Sequence, residues 1–207
     1  MGLAEAVAAV QRGEPVLVHD ADDREDETDL VVPAAAVDWT DVRRLRTDAG
    51  GLICVAVPHG AGHRFDLPLL DDLFEEYGGA PDYDDRSSFS VSVNHVSTRT
   101  GITDRDRATT IRALADAVSD PAFRFRDEFR APGHVPVLLE AAEGLAERQG
   151  HTELAVDLLR RADVTPAAVV CEMLDDETGN ALSAGDAGRY AEENGFAFLE
   201  ADELLDG

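Results

Sequence analysis

The sequence predicts a mixed α/β fold: a single compact domain over residues 1–207, in which a mixed sheet is flanked by helices. Short apolar runs typical of buried strands alternate with segments of helical periodicity. These elements do not follow the regular order of βαβ units, so the sheet should not be purely parallel. A chain of 207 residues with 44% hydrophobic content is long enough for one good core.

The first half of the chain contains four predicted strands. Each is an apolar or alternating run, and they cover residues 15–19, 30–34, 52–58 and 89–97. The helical spacing of residues 3–13 ends at Gly13, a suitable C-cap. A second helix over 41–48 would begin after a cap at either Asp38 or Thr40. Residues 59–87 indicate a short helix and an acidic loop.

The second half of the chain contains more helix. Asp104 is the expected cap of a helix over 104–119, and residues 119–135 are expected to be irregular. The apolar run that follows is either a strand or a turn, and an amphipathic helix runs from Thr152 to about Ala162. The remaining predicted elements are a strand over 167–174, a helix over 184–194 ending at Gly195, and a final strand with a short helix over 196–205.

The charge of the chain is strongly acidic. Net charge is −25, all 18 basic residues are Arg, and 26 of the 43 acidic residues are Asp. Such a surface is typical of adaptation to high salt, where the Debye length falls to ~3 Å at 1 M and self-repulsion is screened. Nucleic acid is not an expected partner, because phosphate contacts need a basic face. Most of the carboxylates are expected to solvate the surface.

The composition also indicates a cytoplasmic protein. Its N-terminus lacks a cationic region, so no secretory signal is expected. No apolar run approaches the ~20 residues of a membrane span, so no membrane partner is expected. Cys54 and Cys171 lie in apolar runs and should be buried thiols in a reducing compartment.

The densest acidic segment covers residues 20–29, DADDREDETD, with seven carboxylates and one cation in ten positions. Like charges at this density repel, so a bound cation or polyhydroxyl ligand would relieve them, and oxygen ligands suit a hard ion such as Mg²⁺. The competing interpretation is that the segment is only part of the acidic surface.

Three later segments carry polar residue types suited to chemistry. Residues 148–153, RQGHTE, could cradle a phosphate on free N–H groups, the Thr152 hydroxyl and the Arg148 guanidinium, or could simply cap a helix. His134 follows Pro-Gly in a turn, where it is either functional or solvent-facing. Glu172 lies in an apolar run, either buried with a raised pKa or at an exposed strand end. Together the four segments indicate a Mg²⁺-dependent enzyme acting on a sugar phosphate.

These segments, in this order, resemble the 3,4-dihydroxy-2-butanone 4-phosphate synthase family of riboflavin biosynthesis. DADDREDETD is similar to the family's acidic motif. PGHV at 132–135, RQGHTE at 148–153 and CE at 171–172 are similar to its later motifs, as are DRATTIRA at 106–113 and GLICVAV at 51–57. The resemblance extends from about residue 4 to residue 205, and the Lys-free surface adds a haloarchaeal-like character.

The resemblance implies a carbon–carbon lyase that converts D-ribulose 5-phosphate to 3,4-dihydroxy-2-butanone 4-phosphate and formate. It implies Mg²⁺ or Mn²⁺ as cofactor and a homodimer with sites at the subunit interface. By motif, Glu25 and His151 correspond to the metal ligands. The substrate contacts correspond to Arg24, Glu25, Asp29, Arg148, Gln149, Gly150, His151 and Thr152. The catalytic group corresponds to His134, Glu172, Glu27 and Cys54, the last two by their positions near the site.

Several positions depart from the family pattern. Asp26 replaces the family's usual Asn, Thr28 replaces its usual Gly, and Gln149 replaces a common Gly. Segment 71–86 does not match the family's usual stretch there, which leaves open a lineage-specific loop that alters access to the site. These departures leave open a catalytically silent relative that binds sugar phosphates. A nucleotide- or RNA-handling protein is the third possibility, and the charge disfavours it. The chain ends after one domain, so the fused GTP cyclohydrolase II extension of some relatives is not expected.

Overall fold

The computed structural model describes residues 2–21, 24–74 and 86–205. Within these ranges seven strands form one mixed sheet. The strands are β1 Val16–His19, β2 Thr28–Pro33, β3 Cys54–Val57, β4 Phe89–His95, β5 Phe129–Leu139, β6 Ala168–Val170 and β7 Ala197–Glu200. The helices are α1 Leu3–Gln11, α2 Trp39–Thr47, α3 His59–Arg64, α4 Leu70–Leu73, α5 Asp104–Ser119, α6 Phe125–Glu128, α7 His151–Arg161, α8 Ala184–Asn194 and α9 Ala201–Leu205. The predicted mixed α/β fold is confirmed.

The strand order is β4-β5-β3-β6-β2-β1-β7. β3 pairs in parallel with β5, and β1 with β7, whereas the other neighbours are antiparallel. The sheet is mixed because local antiparallel pairs such as β1–β2 are combined with long crossover connections.

The two faces of the sheet carry separate hydrophobic cores. On β1, Leu17 joins one core, while Val16 and Val18 join the other, as the two-residue period of a strand requires. The first core includes residues of α2, α5 and α8, and the second includes residues of α1, α7 and α9. Because both faces are covered, every residue of β1 and β3 is buried.

Three elements meet on the second face. The acidic loop connects β1 to β2, with His19 opposite Thr28. Helix α7 packs against β3 and β6. Beyond β6, Glu172 forms an isolated antiparallel bridge with Asp29. The end of the acidic loop, the start of α7 and Glu172 are thereby brought to one place.

Several predicted boundaries change. Asp38 caps α2 as one of the two alternatives predicted, but the cap of α5 is Thr103, whose hydroxyl accepts the Asp106 N–H. Residues 119–135 are not wholly irregular, because α6 forms there and the first two residues of β5, Phe129 and Arg130, pair with the end of β4. Of the strand expected over 167–174, only the residues of β6, Ala168–Val170, form a regular strand. Of the expected 71–86 loop, residues 75–85 lie outside the described ranges.

Candidate active site

The acidic loop is folded around the side chain of Asp20, which is 2% exposed. Its Oδ1 accepts the Glu27 N–H at 3.0 Å, and its Oδ2 accepts the Glu25 N–H at 3.2 Å. Arg24 donates Nη1–H to the same Oδ2 at 3.1 Å. The sequence motifs assigned no role to Asp20, and the structure shows that it is the internal acceptor that orders the loop.

The departures from the family motif fit the loop backbone. Among the described loop residues, Asp26 is left-handed, with φ 54°, a conformation that Asp tolerates better than most residues. Thr28 is the first residue of β2 and is buried in extended conformation opposite His19. Thr at position 28 therefore demands no left-handed backbone. Asp22 and Asp23 lie outside the described residues.

Helix α7 begins at His151, one residue before the expected start, and its N-cap is the extended residue Gly150. Thr152 is therefore inside the first turn and is not the cap that the alternative interpretation required. A Cβ on Gly150 would lie 2.7 Å from Arg24 Nη2, so the missing side chain lets the guanidinium lie against the turn. First-turn N–H groups have no acceptor within the helix, which makes this end suited to an anion.

His151 faces the acidic loop and is 7% exposed. Its Nδ1 is 3.3 Å from Glu25 Oε2 and 3.7 Å from Asp29 Oδ1. His151 Nε2 and Asp29 Oδ1 are buried without a hydrogen-bond partner among the described residues. Asp20, Glu25 and His151 each offer one ligand atom, and these three atoms lie within 4.8 Å of one another. Carboxylate oxygens with one imidazole and unsatisfied buried atoms fit a divalent cation.

The surroundings shift the pKa values of these groups strongly. Burial raises the pKa of Asp29 to about 7, against the opposing effect of His151. Burial lowers the pKa of His151, but Asp29, the hydrogen bond to Glu25 and the charge of Asp20 outweigh it and raise it to about 9. Burial also raises the pKa of Glu172, and burial with the charge of Glu25 raises that of Glu27. Without a cation, His151 is protonated and Asp29 is partly protonated at neutral pH, whereas a free Asp side chain would be ionised.

A cavity of about 420 Å³ opens over this cluster. Among the predicted residues it is lined by Arg24, Glu25, Asp29, Arg148, Gly150, His151, Thr152 and Glu172. The rest of its described lining is Arg86, Ser87, Ser88, Phe89, Leu138 and Val170. Ser88 was not anticipated from the sequence, and its Oγ accepts the Thr152 hydroxyl at 3.1 Å. The pair Ser87-Ser88 directly before a strand was the signal available.

Arg148 lines the cavity with a guanidinium that is already bonded within the protein. Its Nε and Nη2 donate to the two oxygens of Glu153 at 2.8 and 2.6 Å, and Nη1 donates to the Arg86 carbonyl at 2.6 Å. Glu153 is fully buried and also accepts the Ala141 N–H at 2.8 Å. Arg148 therefore ties the chain at Arg86 to Glu153 in α7, and Glu153 ties the chain at Ala141 to the same helix. The sequence motifs assigned no role to Glu153.

Four predicted site residues are not among the described residues that line the cavity. Gln149 is exposed and borders a different depression. Cys54 lies beneath the cavity beside Val170, where burial followed by the charge of Glu172 raises its thiol pKa. Glu27 is near enough for Glu25 and Glu172 to act on its pKa. His134 is exposed on β5, on the strand pair at one edge of the sheet.

Comparison with known proteins identifies the family of the chain. The model of a family described as 3,4-dihydroxy-2-butanone 4-phosphate synthase matches residues 4–206. The chain belongs to this family. The 3,4-dihydroxy-2-butanone 4-phosphate synthase of Methanosarcina mazei is 48% identical over 219 residues, which cover 97% of this chain and 88% of that protein.

Solved structures of the 3,4-dihydroxy-2-butanone 4-phosphate synthase family share the fold. One, a complex with two magnesium ions, has a TM-score of 0.88 at 29% identity and covers 100% of this chain and 95% of that one. RibBX from A. baumannii, a two-domain synthase, has a TM-score of 0.85 at 29% identity, and this chain spans 57% of its length. In the described part of the chain, no helix is both long and apolar enough to span a bilayer.

Proposed function

We propose that the protein is a lyase that converts D-ribulose 5-phosphate to 3,4-dihydroxy-2-butanone 4-phosphate and formate. The observation that carries the proposal is the convergence of Glu25, Asp29, His151 and Glu172 in one cavity at the N-terminus of α7. Family membership over residues 4–206 supports the same reaction. The substitutions at Thr28 and Gln149, which left open a catalytically silent relative, do not alter the cavity. Thr28 lies in β2, and Gln149 borders a different depression.

Glu25 and His151 would hold the Mg²⁺ ion, with Asp20 close enough to contribute. Bound there, the cation supplies a Lewis acid that polarises a carbonyl and acidifies the neighbouring C–H. The same ligand types accept Mn²⁺, so either ion supports the reaction. A titration of metal-free protein with each ion, read by calorimetry, tests this part separately from turnover.

The phosphate of the substrate would lie at the start of α7. The first-turn N–H groups and Arg24 face the cavity there, and both favour an anion. Arg148 contributes mainly by holding the walls, since Glu153 and backbone carbonyls already bind its guanidinium.

The acidic groups with raised pKa values would move protons. Asp29, with a pKa of about 7, is partly protonated at neutral pH and can both give and accept a proton. Glu172 faces the same space, and Glu27 lies close behind it. These groups suit the successive enolisation, loss of water, skeletal shift and expulsion of C4 as formate. Cys54 is assigned a supporting position beneath the cavity rather than a proton-transfer role, because its buried thiol stays neutral.

The position of His134 supports a homodimer with shared sites. The residue is exposed at the sheet edge and outside the cavity of its own chain. We infer that it completes the cavity of a second subunit. Mixing the variants H134A and E172Q, each expected to retain only a small residual rate, should restore about a quarter of the wild-type activity, because half of the randomly formed dimers contain one intact site. Complementation would be absent if His134 acted within its own chain.

The proposed setting is the cytoplasm of a salt-adapted, haloarchaeal-like cell. The support is compositional: a net charge of −25 and basic residues that are all Arg. The decisive assay incubates the protein with D-ribulose 5-phosphate and Mg²⁺ over a range of KCl concentrations and measures formate. Folded protein that releases no formate at any salt concentration would contradict the lyase function.

A further inference from the structure

The segment that carries His134 is an excursion from β5. On β4, Val93 pairs with Val135, yet the next residue, Asn94, pairs with Arg130. Residues 131–134 therefore have no partner residues on β4 and form a four-residue bulge. Bulges of this kind redirect a side chain away from the regular sheet.

Two side chains of β4 hold the bulge. Ser92 Oγ accepts the Gly133 N–H at 3.2 Å, and Asn94 Oδ1 accepts the His134 N–H at 2.9 Å. Gly133 itself lies against the β4 backbone, since a Cβ there would be 1.9 Å from the Val93 carbonyl carbon. The second half of the bulge, Gly133 and His134, is thus fixed to β4.

Asn94 makes a second contact, to the imidazole ring. Its Nδ2 is 3.1 Å from His134 Nδ1, and its Oδ1 is 3.2 Å from the same atom. A backbone N–H only donates, so the oxygen of the amide must face the His134 backbone. A bond from the amide nitrogen, which can only donate, makes Nδ1 the acceptor and places the proton of the neutral ring on Nε2. A bond to the amide oxygen, which already accepts the backbone N–H, would instead require the proton on Nδ1.

The amide is braced from its other side. Gly101 has φ 86°, and a Cβ on it would lie 2.2 Å from Asn94 Nδ2. The Gly101 N–H donates to Asp106 Oδ2 at 3.0 Å, which anchors the turn to the start of α5. Asn94 is therefore packed in one orientation by a turn that only Gly fits.

We propose that Asn94 is the positioning residue of His134: it orients the imidazole of the bulge and selects the tautomer with the proton on Nε2. This rests on the proposed function in so far as His134 acts in the reaction. The free Nε2–H is then presented away from β4, toward the substrate.

The first test is spectroscopic and needs no turnover. In ¹⁵N-imidazole spectra at alkaline pH, wild-type His134 should show the Nε2–H tautomer. N94A should show a mixture of tautomers, because neither is held. N94D should show the Nδ1–H tautomer, because a carboxylate only accepts, while it still accepts the His134 backbone N–H. The matched control S92A removes the other side-chain contact of the bulge and should keep the wild-type tautomer.

The second test is kinetic. N94A should lower kcat for formate release about 10–100-fold, the range typical of residues that orient a reacting group, with KM changed less than about threefold. N94D should not recover kcat, because its carboxylate orients the ring but leaves no proton on Nε2. S92A should stay within about threefold of wild type. In an H134A background, N94A should cause no further loss, since the residue that it positions is absent.

Wild-type tautomer in both N94A and N94D would overturn the proposal, as would an N94A loss of equal size with and without His134. If N94A does not fold, N94D alone decides through its tautomer. A wild-type protein that releases no formate but shows the predicted tautomers would contradict the proposed function while leaving the Asn94–His134 pair established.

Discussion

Two acidic regions of the molecule, the loop at 20–29 and the turn at 175–180, have similar sequences and opposite environments. In the turn, Asp175 accepts the N–H groups of Glu177 and Thr178, and the bond to Thr178, then that to Glu177, lower its pKa. In the loop, Asp29 is buried and its pKa is raised to about 7. The loop also meets His151 and Glu172 from distant parts of the chain. Convergence of buried groups, rather than acidic density, distinguishes the site from the surface.

The largest expected difference between the two regions is catalytic. E25Q removes a charged oxygen from the proposed cation site and should lower formate release at least about 100-fold. The matched change in the turn, E177Q, affects an exposed side chain and should leave the rate unchanged. Formate assays at saturating Mg²⁺ make the comparison. Equal rates for E25Q and wild type would show that the loop is ordinary surface.

Cation binding should depend on pH in a defined direction. His151 has a pKa of about 9, and a cation requires its neutral form. Binding at pH 7–9 therefore releases a proton, and affinity should increase about tenfold per pH unit in this window. Below about pH 7, protonation of Asp29 should weaken binding further.

Calorimetry of the metal-free protein at fixed salt, in buffers of different ionisation enthalpy, counts the released protons. The control H59Q changes an exposed histidine outside the loop and should keep the same slope. An affinity independent of pH would contradict the coupling between His151 and the carboxylates.

A smaller effect is expected at Gly150. The Cβ of G150A would lie 2.7 Å from Arg24 Nη2 and displace the guanidinium, so KM should increase about tenfold with a smaller change in kcat. In the control G188A, the Cβ enters open space within α8. That variant should keep wild-type kinetics and gain up to about 1 kcal/mol of stability. An unchanged KM in G150A would separate Arg24 from substrate binding.

The smallest effect is expected for a change in the turn. The double variant D176N/E177Q should change the free energy of unfolding by less than about 0.5 kcal/mol, because both side chains are exposed.

The stability of the whole chain should depend on salt. Screening of the net charge of −25 should increase the melting temperature as the KCl concentration increases into the molar range. Thermal melts with and without KCl measure both quantities, and a melting temperature independent of salt would contradict the proposed salt adaptation.

Periodicity predicted the mixed fold and most elements, because buried strands and amphipathic helices leave local patterns. It failed for the first half of β5, where Arg130 pairs with β4 and the Gly133 and His134 N–H groups bond to β4 side chains. These are long-range contacts without a local signal. The motifs identified the cavity residues Glu25, Asp29, His151 and Glu172. They could not reveal the loop acceptor Asp20, the Glu153 partner of Arg148 or the Asn94 contact to His134, since each depends on which side chains meet in space.

The bulge at 131–134 leaves the sheet pairing intact on both of its sides, since Val93–Val135 and Asn94–Arg130 are adjacent pairs on β4. The pairing of β4 with β5 on either side therefore does not depend on the number of residues in the bulge. Insertions or deletions there would change the position of His134 and its contacts to Asn94 without changing the strand pairing on either side. Changes in the length of the bulge would therefore alter the placement of His134 while the pairing that stabilises the sheet is kept.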